Sequence, residues 1–143
     1  MKKKKDEDTW IVSEGQEEGL PMIYRMRDII PSAINTPEYP NLISVLWEYD
    51  FDNPSGMPSD ELDKQQRAFE DALDKMDNTG IGIMMLAVTG NGRREWVWYV
   101  NDQSFWLSSM HSCLEGHPTY PIDIEKSDDP HWDTWKTFRQ GAK

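Results

Sequence analysis

The chain has 143 residues, and 26 acidic against 15 basic side chains leave a net charge of −11. That balance excludes a nucleic-acid-binding surface, which runs on clustered Lys and Arg, and docking on an anionic membrane. A single cysteine, Cys113, excludes both an intrachain disulfide and a Cys-based zinc site.

Mean hydropathy is low at −0.77, yet seven Trp, five Tyr and four Phe supply enough burial to fold the chain. Residues 1–8 read as a disordered charged tail. Lys2–Lys5 resemble the start of a signal peptide, but Asp6, Glu7 and Asp8 stand where an apolar stretch is required. The apolar run Ile81–Val88 is too short to span a bilayer. The expectation is a cytoplasmic chain with one α+β domain over residues 9–143.

In chain order, Trp10–Val12 and Met22–Met26 read as two short strands of an N-terminal β-hairpin, joined by a loop rich in Glu and Gly. Pro31, Pro37 and Pro40 then disfavour helix. Asn41–Phe51 alternates as a strand, with Ile43, Val45, Trp47, Tyr49 and Phe51 on one face. Ser59 suits an N-cap, followed by Asp60 and Glu61 in a first helical turn. Leu62, Phe69, Leu73 and Met76, with Ala68 and Ala72, make an apolar stripe at helical spacing that ends at Asn78 or Gly80.

Ile81–Thr89 is the next strand. Asn91-Gly92 is a type I′ turn signal that makes Arg94–Val100 its antiparallel partner. Asp102 caps a second helix carrying Trp106, Met110 and Cys113, with Phe105 and Leu114 alongside. Tyr120, Ile122 and Ile124 alternate as an edge strand. Asp129-Pro130 opens a final helix, as N-cap and first helical residue, that bears Trp132, Trp135 and Phe138. From about residue 42 to 125 the order is β-α-β-β-α-β, a ferredoxin-like split arrangement to which the N-terminal hairpin and C-terminal Trp helix are added. Another strand order of the same α+β elements is the competing architecture.

The Asn91-Gly92 turn also sets register. It pairs Leu86 with Val97, Met85 with Trp98 and Met84 with Tyr99. Met84, Leu86, Val88, Val97 and Tyr99 would then share one face, and Ile83, Met85, Ala87, Trp96 and Trp98 the other. Neither is a solvent face. Two helices cover one side, so the second needs the N-terminal hairpin and C-terminal helix, or else a partner or second copy of the chain.

Candidate chemistry is sparse. His111 and Glu115 share a helical face near His117, but Cys113 falls on the apolar stripe, so no metal is assigned. Asp128, Asp129 and His131 could act as acid and base, although the capping role of Asp129 accounts for it without catalysis. Glu70, Asp71, Asp74 and Asp77 line the polar side of the first helix, as a solvated face or as a docking surface for a basic protein. Gly80-Ile81-Gly82 lacks the third glycine of a phosphate-binding loop.

Several motifs in order resemble a known family. They are Leu20-Pro21-x-Ile23-Tyr24-Arg25, Glu70-Asp71-x-Leu73, Arg94-Glu95-Trp96-x-x-Tyr99 and Asp129-Pro130-x-Trp132-x-x-Trp135. Together they resemble the bacterial domain of unknown function 695, with Trp135 where a Tyr is expected. The resemblance spans Trp10 to Trp135 and implies a bacterial cytosolic protein with no established catalytic residues. Domains of this kind look related in style to the ferredoxin-like regulator of ribonuclease E activity B, an acidic protein that inhibits an RNA-processing enzyme by binding it.

The functional expectation is therefore a non-enzymatic acidic module that works through protein contacts, with no cofactor and no metal. Its binding surface would use Glu70, Asp71, Asp74, Trp96 and Trp98 toward a basic partner, and a homodimer is left open. The alternative is a small enzyme or ligand-binding domain with a pocket at Arg94, Glu95, Asp129 and His131.

Overall fold

A computed structural model describes residues 9–142, so the charged tail expected over residues 1–8 lies outside the described part. The fold is α+β. Strands β1 (Trp10–Glu17), β2 (Leu20–Arg27), β3 (Asn41–Glu48), β4 (Gly82–Gly90), β5 (Arg93–Val100) and β6 (Asp123–Asp128) form one antiparallel sheet. Its order is β1-β2-β4-β5-β3-β6. The helices are α1 (Asp60–Leu73), α2 (Gln103–Cys113) and α3 (Asp133–Gly141). None of the described helices is long and apolar enough to cross a membrane.

Turn and cap chemistry account for most boundaries. Asn91 and Gly92 both have positive φ, 49° and 81°, as a type I′ turn demands. Glu18 and Gly19, at 53° and 81°, make a second such turn. That turn lets β1 and β2 run eight residues each, longer than the short strands expected from their apolar cores. The Ser59 hydroxyl accepts from the backbone N–H of Leu62, and Asp102 accepts from Phe105, capping α1 and α2 as expected.

The start of α3 differs from expectation. Pro130 precedes the helix, and the N-cap position is Trp132 in a left-handed conformation, φ 59°. Asp129 still caps, from further back: its carboxylate accepts from the backbone N–H groups of Asp133 at 2.9 Å and Thr134 at 3.0 Å. The edge strand also moves, beginning at Asp123 rather than Tyr120, although Tyr120, Ile122 and Ile124 do pack against the core.

The β4–β5 register follows the turn as far as Leu86–Val97 and then slips. Met84 pairs with Trp98 and Ile83 with Tyr99, which leaves Met85 as a bulge. One extra residue reverses the faces of everything before it. Met84 therefore joins the helix side with Ala87, Trp96 and Trp98. Ile83 and Met85 join Leu86, Val88, Val97 and Tyr99 on the other side. A bulge in an apolar run has no local sequence signal, because either face accepts the methionines.

Both faces of the central strands β3, β4 and β5 are buried within the chain. Beneath α1 and α2 lies a core of Ile43, Val45, Trp47, Phe69, Trp96, Trp98 and Trp106. Ala68 is exposed, and Gln66 is the fully buried α1 residue in its place. Phe105 points outward at 55 % exposure. The second face is covered by α3 and the segment before β3. There Trp132 stacks on Tyr99 with ring centres 4.2 Å apart, and its indole N–H donates to the Tyr39 carbonyl. The N-terminal strands do not act as a cover. They widen the sheet, with β2 paired to β4.

Candidate functional site

Six strands about 4.8 Å apart make a sheet about 24 Å wide, whereas two packed helices cover about 20 Å. The buried core under α1 and α2 draws on β3, β4 and β5 and on no residue of β1 or β2, so the N-terminal ribbon reaches past α1 on the helix side, and an open cleft of about 530 Å³ lies along that step. Two cross-strand rows form its floor. One runs Val12–Arg25–Ala87 and the other Ile23–Thr89–Arg94. Val12 and Ile23 are 66 % and 39 % exposed, while Thr89 and Ala87 are buried at the foot of the helix. Asp60, Asp63, Arg67, Glu70 and Asp71 form the α1 wall, and Met57 and Pro58 close one end.

Ion pairs tie the helix to the floor. Arg25 grips Glu70 through both guanidinium NH₂ groups, at 2.9 and 2.5 Å, and the Trp96 indole N–H donates to the same carboxylate at 2.9 Å. Burial alone would raise the Glu70 carboxyl, but the Arg25 and Trp96 hydrogen bonds and the Arg25 charge outweigh it and hold the carboxyl below its ordinary value. Arg94 donates to Thr89 Oγ1 at 2.9 Å and to Asp63 at 3.0 Å, and burial lowers its pKa despite that carboxylate. Asp63 also accepts from Arg67 at 2.7 Å. Every arginine of the cleft is thus engaged by a carboxylate, whereas Asp60 and Asp71 enter no ion pair or side-chain hydrogen bond among the described residues.

The residues singled out from sequence are distributed differently. Trp96 and Trp98, expected at a binding surface, are 1 % and 2 % exposed, inside the core beneath the helices. Glu70 is a structural anchor, while Asp71 and Asp74 are exposed. Asp77 is turned inward to Arg27 at 2.8 Å. The set Arg94, Glu95, Asp129 and His131 is not gathered into a pocket. Neighbours on β5 point to opposite faces, so Arg94 meets Asp63 on the helix side and Glu95 accepts from Ser44 on the other.

Asp129 accepts from the Tyr99 hydroxyl at 2.6 Å, on the Glu95 side, and His131 is exposed. Burial would raise the Asp129 carboxyl, yet Tyr99 and the α3 amides hold it low, while burial and Asp129 push the Tyr99 phenol well up. No group of three or more His, Cys, Asp or Glu suited to a metal occurs among the described residues, and His117 bonds Tyr120 instead. The cleft itself was not read from sequence. Its only local signal is Arg25, a charge inside the apolar run Met22–Met26 that needs a carboxylate from elsewhere.

Residues 8–139 match the sequence model of DUF695, described as a family of unknown function. No curated protein and no solved structure matches the chain.

Proposed function

The chain belongs to the DUF695 family of unknown function, and we propose that it is a non-enzymatic, acidic, cytoplasmic binding or regulatory module that works by contacting a basic protein. The observation that supports this most is the charge at the end of α1. Glu70, Asp71 and Asp74 sit where the helix dipole is negative, and the last turn holds no basic residue. Burial and the neighbouring Asp71, Glu70 and Asp77 raise the Asp74 carboxyl, so the folded chain holds like charges together at a cost. A cationic partner surface relieves that cost and is steered toward it by the net charge of −11.

A ferredoxin-like core over residues 42–125 is the architectural part of the same reading. It is supported by the order β6-β3-β5-β4 within the sheet and by α1 and α2 lying on one face. Such a layer leaves the outward side of α1 free for contacts.

The test compares two double charge reversals of equal net charge by affinity capture from the source cell. Asp71→Lys with Asp74→Lys alters the proposed surface, and Glu115→Lys with Glu125→Lys alters exposed positions elsewhere. The expected result is a set of basic partners lost with the first pair and kept with the second. Equal recovery with both pairs would refute the assignment.

A further inference from the structure

We propose that the cleft between α1 and the β1–β2 ribbon is a docking groove for an extended segment of a basic partner protein, with apolar and cationic side chains alternating along it. This rests on the protein-contact reading above and adds the place and form of the contact. Three observations select this occupant. First, the floor is apolar and open at Val12 and Ile23, the two cleft residues among the large exposed hydrophobics of the fold. Isolated exposed apolar residues are ordinary, but two on adjacent strands facing one groove of about 530 Å³ provide a continuous surface to bury.

Second, the vacant charges are all negative. Arg25, Arg67 and Arg94 each already bond a carboxylate, Arg67 and Arg94 sharing Asp63, and the four carboxylates of the lining outnumber its three guanidiniums, so an anionic ligand would meet a net negative charge and compete with an existing pair. Asp60 and Asp71 remain as acceptors at the two ends of the α1 wall. Third, their spacing fits an extended chain. They are eleven positions apart on one helix and therefore lie on the same face, about 16 Å from end to end. An extended segment rises about 3.3 Å per residue, so about five residues span that distance. Alternation then points apolar side chains down to Val12 and Ile23 and the intervening ones to the open side, from where long cationic chains bend back to the carboxylates of the wall.

The probe is an end-blocked Lys-Val-Lys-Val-Lys peptide titrated into the whole protein, with methyl NMR as the readout. Saturable shifts are expected at Val12, Ile23, Ala87 and Met57. Affinity is expected to fall about tenfold in the Val12→Ser, Ile23→Ser double variant. Lys-Gly-Lys-Gly-Lys, with the same charge, should bind at least as weakly as that variant does. Unchanged amide spectra away from the cleft check that the variant is folded, and Val12→Ser alone serves if it is not.

Equal affinity for the two peptides, or shifts spread over the acidic surface, would overturn the groove while leaving the charge-reversal result at Asp71 and Asp74 intact. A concentration-dependent dimer that disappears in the Val12→Ser variant would assign the groove to a second copy of the chain and likewise overturn the proposal. Because Asp71 belongs to both surfaces, Asp74→Lys alone separates them: peptide bound in the groove with every partner kept in Asp74→Lys would retain the groove and refute the acidic surface.

Discussion

Arg27 and Asp77 form an ion pair at 2.8 Å that closes over the Met85 bulge. The β2–β4 pairing stops at Met26–Leu86, just past the bulge, and these two side chains bond the Met84 backbone groups in its stead. Asp77 Oδ1 accepts from the Met84 N–H at 2.9 Å, and Arg27 Nε donates to the Met84 carbonyl at 2.8 Å. Arg27 is 3 % exposed, with Trp10 stacked at 4.9 Å from its guanidinium. The pair therefore joins β2, the end of α1 and the irregular point of β4 in one polar unit.

Breaking that unit should be costly. Arg27→Met leaves the Met84 carbonyl without its side-chain donor and the Asp77 carboxylate without this cation, and is expected to destabilise the fold by about 3 kcal/mol in chemical denaturation. Asp77→Asn keeps an acceptor for the Met84 N–H and should cost clearly less than Asp77→Ala. Equal costs for the two Asp77 variants would show that the bulge contact contributes little.

Gln66 gives the opposite expectation. It is fully buried, and neither its amide nitrogen nor its amide oxygen has a hydrogen-bond partner. Replacing it with Met keeps the length and removes an unsatisfied polar group, so Gln66→Met should stabilise by about 1 kcal/mol. A loss of stability in thermal or urea unfolding would show that the amide is satisfied in solution.

Gly90 sets how closely β2 approaches β4. Its φ is +142°, and a Cβ there would stand 2.7 Å from both the Met22 sulfur and the Pro21 carbonyl oxygen. The sulfur can swing away but the backbone oxygen cannot, so Gly90→Ala should destabilise by about 2 kcal/mol. Faster hydrogen exchange confined to β1 and β2 is the expected signature, because the ribbon joins the rest of the sheet through β2–β4 pairing.

Acid should loosen α3. The Asp129 carboxyl is held below its ordinary value in the folded state, so its contribution is full above the unfolded value and is lost as pH falls through the folded one. Stability followed by Trp emission should therefore decline below about pH 4. Tyr99→Phe removes the hydroxyl bonded to Asp129 at 2.6 Å and should flatten that decline. An unaltered acid slope in Tyr99→Phe would assign the decline to other carboxylates, such as Glu70 or Asp63, which arginines hold low against burial.

What could be read locally and what could not divides along physical lines. The Ser59 and Asp102 caps and the Asn91-Gly92 turn depend on a few neighbouring residues, and each appears in the structure where its residue type required. The Met85 bulge was not readable, because Ile83, Met84 and Met85 are apolar and alternation carries no sign when both faces are buried. Glu70 and Asp77 looked like solvent charges because their partners, Arg25 and Arg27, lie 45 and 50 residues earlier in the chain.

The sequence by itself determined an acidic α+β chain with two apolar sheet faces and aromatic residues placed to fill them, since composition, period and turn chemistry are local properties. Tertiary structure alone decided that Trp96 and Trp98 are core, that α3 covers the second face, and that the N-terminal strands widen the sheet instead of capping it. It also created the cleft. A groove exists where a sheet extends past the helix that covers it, and that depends on strand order and helix width, which no single segment encodes.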